Sequence, residues 1–179
     1  MSRFLFFLLW WIPPTFAADA VPSRDGVEIF VSARTQEQMR AFYGARGLPP
    51  AALQELSKAC FLTVSLHNRR SETLWLEPLT WRFINAQGKL IPRIARPEWT
   101  ARWTALQVPL AAQSTFGWTQ LPESRDLYPD ESVGGNIAIL PPPGSFRLIA
   151  HFRTGADGDG KTIELSVPDL SCPREGTGP

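Results

Sequence analysis

The chain predicts a mainly β protein, an antiparallel β-sandwich with a short N-terminal helical pair as its cap. Three observations carry this. Apolar residues alternate with period two in several short runs, turn-forming clusters of Pro, Gly, Asn and Asp separate those runs, and one early stretch repeats its apolar residues at helical spacing instead. The chain has 179 residues. Without a leader it suits one domain, which at this size buries roughly two-thirds of its unfolded surface.

Met1 to Ala20 reads as a cleavable export signal. Arg3 supplies the positive start, Phe4 to Ile12 is apolar, Pro13-Pro14 breaks the run, and small residues follow, so cleavage fits after Ala17 or Ala20. The apolar run is about half the roughly 20 residues that a spanning helix needs. Residues 21–179 are therefore expected to form a single domain, periplasmic or secreted, with no membrane insertion after cleavage. The chain carries 18 basic and 17 acidic side chains, and its first 17 residues contain one Arg and no acid. That balance argues against nucleic-acid binding, which needs a basic footprint to displace counterions.

Val27 to Ala33 is the first expected strand. Thr35 to Arg46 follows as a helix with Thr35 as N-cap and Met39, Phe42 and Tyr43 at helical spacing, stopped by Gly47. A second helix begins at Pro49 or Pro50 and runs to about Lys58, because proline is accepted in a first turn. This helical insertion, 35–58, is expected to lie over one end of a sheet.

Cys60 to Ile91 is the stretch around which the remainder is expected to assemble. Leu62, Val64 and Leu66 alternate with Phe61, Thr63, Ser65 and His67; Asn68 to Ser71 makes a polar turn; and Leu74 to Ile84 forms an aromatic-rich second arm. Together they predict a hairpin, closed by Asn85 to Gly88, where Gly88 can take the positive φ of a tight turn. Pro97 to Leu106 suggests a helical turn with Trp99 and Trp103 on one face. Gln113 to Gln120 alternates Phe116 and Trp118 with polar residues, predicting a strand. Ser132 to Leu140, Phe146 to Thr154 and Lys161 to Val167 are three more strands, joined by Pro141 to Gly144 and Gly155 to Gly160.

A strand ending in Asn68, a second with Trp81 and Phe83, the Asn85 to Gly88 turn, Pro129-Asp130-Glu131 leading into Val133-Gly134-Gly135-Asn136-Ile137, and Phe146-Arg147-Leu148 follow in order. This order resembles that of small exported bacterial domains with an immunoglobulin-like β-sandwich. The resemblance implies that fold over about Cys60 to Val167 and, more weakly, a binding or accessory role.

In an oxidising compartment Cys60 and Cys172, the chain's two cysteines, suggest a structural disulfide. Closing a loop of about 110 residues adds roughly 4 to 5 kcal/mol in the chain-entropy model. His67 and His151 lack HxH, HExxH or triad spacing and read as solvated polar positions. Leu121 to Glu131 collects Glu123, Arg125, Asp126, Asp130 and Glu131, which could form an acid and base pair, hold a hard cation, or pin a long loop by pairing with Arg125. Asp157 to Lys161 opens like a calcium loop, but Lys161 at the third ligand position and Pro168 at the twelfth exclude an EF-hand.

Alternation in Phe146 to Thr154 sends Phe146, Leu148, Ala150 and Phe152 to the core, so Arg147, Ile149, His151 and Arg153 share the other face. Arg147, His151 and Arg153 are the expected binding residues. The expected function is an exported, non-enzymatic binding or accessory and assembly module that meets a protein partner in the periplasm and needs no cofactor. The alternative is a periplasmic metal-handling protein whose site is assembled from His67, His151 or the acidic loop 123–131.

Overall fold

Residues 22–173 are described by the computed structural model; the expected export signal, residues 1–20, lies outside the described residues. In chain order the elements are β1 (Ser23–Arg24), β2 (Val27–Arg34), α1 (Gln36–Gly44), α2 (Pro50–Leu56), β3 (Cys60–Asn68), β4 (Leu74–Leu76), β5 (Arg82–Asn85), β6 (Leu90–Ile91), β7 (Arg93–Ile94), α3 (Arg96–Ala105), α4 (Leu110–Trp118), β8 (Arg125–Leu127), β9 (Ser132–Ile139), β10 (Phe146–Thr154) and β11 (Ile163–Leu170). No helix among the described residues is long and apolar enough to cross a membrane.

Two antiparallel sheets arise from the alternating runs. The first has the order β1-β2-β3-β9-β7. The second is built around β10, which pairs with β11 on one side and with β5 and then β4 on the other; β6 extends β5 and β8 extends β4. Their facing sides supply a sandwich core: Leu62, Val64 and Leu66 from β3 and Leu148, Ala150 and Phe152 from β10 are essentially without solvent contact. Each large apolar side chain buried this way stabilises the fold by about 1.5–3 kcal/mol. The Cys60–Cys172 disulfide ties the start of β3 to the chain just beyond β11, closing a separation of 112 residues between the two sheets.

A third layer covers part of the first sheet's outer face. Phe61 and Ala138, paired across β3 and β9, and Ile94 of β7 point away from the sandwich core and are buried under Met39, Tyr43, Leu56, Trp99, Trp103 and Phe116 from the four helices. The N-terminal pair forms as expected: Thr35 caps α1 by accepting from the Gln38 amide, and Gln38 reciprocates. The cap as a whole is not N-terminal, however, because α3 and α4 lie mid-chain and contribute much of its aromatic mass.

Three expectations are corrected. The hairpin of Cys60 to Ile91 does not form: β3 belongs to the first sheet, while β4 and β5 lie end to end along β10 in the second, interrupted by a helical turn at Pro78–Thr80. Asn68 is the reason. Fully buried, it donates from Nδ2 to the carbonyls of Glu72, Leu127 and Tyr128, accepts from the Arg70 amide, and exchanges backbone bonds with Asp130 and Glu131. These bonds carry the chain across the sandwich instead of back along β3. Gln113–Gln120, expected as a strand, lies mostly in α4. Its start follows Pro109, and Ala112 and Phe116, four residues apart, face the helical core. The single turn expected at Pro97 is a full helix, α3, whose Trp99 and Trp103 stack at 5.0 Å between ring centroids.

Candidate functional site

The outer face of β10 is arranged as its alternation requires, with Arg147 and Arg153 exposed and Ile149 and His151 half-buried. Its charges are partly satisfied by neighbours. Arg153 donates to both carboxylate oxygens of Glu77 (2.6 and 3.3 Å) and lies over the Trp75 ring; the Glu77 hydrogen bond and charge hold its pKa above the usual value. His151 lies 3.6 Å from Glu164, which also faces Arg82. Arg147 has no ion-pair partner among the described residues and borders a shallow depression with Asn85, Ser145 and Asp169.

At one end of the first sheet, the register of β2, β3 and β9 brings together residues far apart in sequence. His67 Nε2 lies 2.8 Å from Asp130 Oδ1, Arg69 donates to Asp130 and Glu28 at 3.1 and 3.3 Å, and Glu28 is 3.6 Å from the other imidazole nitrogen. Asp130 occupies the left-handed region at φ 62°. Its carboxyl is held below the usual carboxylate range, first by the His67 hydrogen bond, then by the His67 and Arg69 charges.

The other members of the expected acidic loop go elsewhere. Glu123 forms a two-pronged pair with Arg93 at 2.7 and 2.8 Å, and Glu131 accepts from the Tyr128 amide, so the loop is pinned by Arg93 and its own backbone and not by Arg125. His67 and His151 are in different sheets. Among the described residues, no three His, Cys, Asp or Glu side chains are grouped to hold a metal ion.

The most exposed large apolar side chains lie on the helical layer, where strand reasoning placed no site. On α4, Leu110, Ser114, Gly117 and Trp118 follow helical spacing along the face opposite Ala112 and Phe116. These residues, with Gln113 and Phe116 at the edge of the inward face, and the Arg96, Trp99, Thr100 and Trp103 side of α3 line a groove of about 500 Å³. Its aromatic base is rigidly interlocked: Trp99 and Trp103 stack, and Phe116 meets them at 5.3 and 5.1 Å. Trp118 is 89% exposed and Leu110 79% exposed on its rim. The spacing of Leu110, Ser114 and Trp118 was the available signal, masked by the shorter alternation of Phe116 and Trp118.

No family model matches the chain, and no curated protein matches it. Among solved structures, the yjhA protein from Bacillus subtilis is similar to it, with 7% sequence identity, a TM-score of 0.44, and coverage of 74% of this chain and 77% of that one.

Proposed function

We propose that the chain is an exported, non-enzymatic binding module of the immunoglobulin-like sandwich class that acts through protein–protein contacts. The observation that carries this reading is the α3–α4 groove, where Trp118 and Leu110 stand in solvent above a fixed aromatic base. Clustered exposed apolar groups on a rigid support are typical of recognition surfaces, and Trp is among the residues that dominate contact energies. The chemistry of the groove favours an extended partner segment that places an apolar side chain between Leu110 and Trp118 and an acidic group near Arg96, the groove's charged residue. The Cys60–Cys172 disulfide supports an oxidising compartment such as the periplasm. The two packed sheets, with the chain crossing between them at Asn68, support the immunoglobulin-like assignment.

A second reading places the contact on Arg147, His151 and Arg153; Arg147, without an ion-pair partner among the described residues, favours it. One experiment separates the two. Exported full-length protein captures its partner from periplasmic extract, and the capture is repeated with Leu110→Ser/Trp118→Ala and with Arg147→Glu/Arg153→Glu. Loss with the first variant alone, in a folded protein, supports the groove. Undiminished capture by a folded groove variant overturns it, and loss with the second variant moves the contact to β10.

A further inference from the structure

We propose that this chain also carries a small-molecule site: the cleft between α1 and the first sheet takes a carboxylate with a compact apolar body. The cleft is separate from the α3–α4 groove and does not depend on the reading given to it. Its volume is about 460 Å³, within the range of ligand clefts. Strand register builds its floor, because β3 and β9 set Thr63 opposite Asn136, while Arg34 closes β2 beside them. Gln38, Met39 and Phe42 of α1 form the wall.

A hydrogen-bond chain of defined direction holds this floor. Thr63 Oγ1 accepts from Arg34 Nε at 2.8 Å and donates to Asn136 Oδ1 at 2.8 Å. The Asn136 amide must then present Nδ2 to the Tyr43 hydroxyl, 3.2 Å away, and Gln120 Nε2 donates to the same oxygen at 2.9 Å. With both lone pairs used, Tyr43 donates to Thr119 Oγ1 at 2.6 Å, whose own hydrogen goes to the Phe116 carbonyl. Every internal polar group on this path is engaged, so the floor cannot easily rearrange.

The unspent donors are at the cleft. Arg34 commits Nε to Thr63, and its two terminal nitrogens have no partner among the described residues; Gln38 commits Oε1 to the Thr35 amide, leaving Nε2. Arg34 is the charged residue lining the cleft. A guanidinium fixed through Nε and offering terminal N–H groups matches a carboxylate. The adaptable Met39 and the partly exposed Phe42 ring suit an apolar body. A single cation beside an apolar wall fits a monocarboxylate better than a phosphate dianion.

The test is an NMR titration of the full, disulfide-intact chain with 3-phenylpropionate, its neutral analogue 3-phenylpropanol, and inorganic phosphate. The acid should shift the amides of Thr63, Gly135, Asn136 and α1 saturably. The alcohol, and the acid on Arg34→Gln, should bind roughly tenfold or more weakly, the usual worth of a charge-assisted pair; Arg34→Lys should retain part of the affinity and Trp118→Ala all of it. If Arg34→Gln does not fold, Gln38→Ala and Phe42→Ala carry the same comparison. Equal binding of acid and alcohol, tighter binding of phosphate, unchanged affinity in a folded Arg34→Gln protein, or no saturable shift would each overturn the assignment.

Discussion

Between the two sheets the core is aliphatic with added phenylalanines, contributed by strands whose inward residues follow one another at period two. Between the first sheet and the helices it is aromatic, a cluster of Tyr43, Phe61, Trp99, Trp103 and Phe116 threaded by a polar network. Even the tryptophans differ. Trp75 in β4 and Trp81 just before β5 donate to the carbonyls of Gly155 and His151, whereas the buried indole nitrogens of Trp99 and Trp103 have no acceptor among the described residues. The sandwich thus gives its indole N–H groups acceptors and provides the platform. The helical layer leaves donors unspent and holds both the groove and the cleft.

The disulfide should produce the largest effect, because it belongs to the sandwich side alone. Replacing both cysteines by alanine is expected to cost about 2–5 kcal/mol, measured by denaturant unfolding. Following tryptophan fluorescence and far-UV circular dichroism together sharpens the comparison: coincident transitions show one cooperative unit, and separated transitions show that the two regions unfold apart.

Gly135 tests the seam between the two regions. A Cβ there would lie 2.4 Å from the Leu121 amide nitrogen, where the chain leaving α4 runs beside β9. Gly135→Ala is expected to destabilise by about 3 kcal/mol and to disturb amide signals of residues 119–121. A neutral substitution would break the claim that this seam is rigid.

Tyr43→Phe removes the hub of the polar network and should cost about 1–3 kcal/mol by taking the hydroxyl acceptor from Asn136 Nδ2 and one of its three acceptors from Gln120. Burial holds the Tyr43 phenol above its usual pKa, opposed by hydrogen bonds with Thr119, Asn136 and Gln120. Since the folded value is raised, this contribution is fully present below the unfolded pKa, near 10, and is lost as pH rises through the folded one. The alkaline loss of stability should be smaller in Tyr43→Phe, as read by thermal midpoints from neutral to strongly basic pH.

The smallest effect lies at the sheet end. His67→Gln should return the Asp130 carboxyl toward its ordinary range, observable by NMR titration of its side chain. Because the folded value is depressed, its contribution is present above the unfolded pKa and is lost as pH falls through the folded one. An unchanged Asp130 titration in His67→Gln would show that Arg69 alone sets it.

Much of this molecule was legible because alternation and capping are local. Val27–Arg34, Ser132–Ile139 and Phe146–Thr154 form strands where their patterns place them, Thr35 caps α1, the two cysteines pair, and Arg147, His151 and Arg153 share one face. Gln113–Gln120 has the pattern of a strand because Phe116 and Trp118 satisfy a two-residue period, while the partner of Phe116 in the helical core is Ala112, outside that window. Period two states which residues share a face, but not which sheet receives the strand, so the pattern alone joins β3 and the β4–β5 pair in a hairpin that Asn68 prevents.

The sequence by itself determined the β-rich class, the strand faces, the first helices and the disulfide, since each follows from residues close in the chain or from the pairing of two lone cysteines. Tertiary structure alone decided the third layer, the α3–α4 groove and the cleft. Their defining contacts join Arg34 to Thr63, Tyr43 to Thr119 and Asn136, and α3 to α4. Such contacts depend on strand register and on how helices settle over a sheet, and neither leaves a periodic mark on the residues that make them.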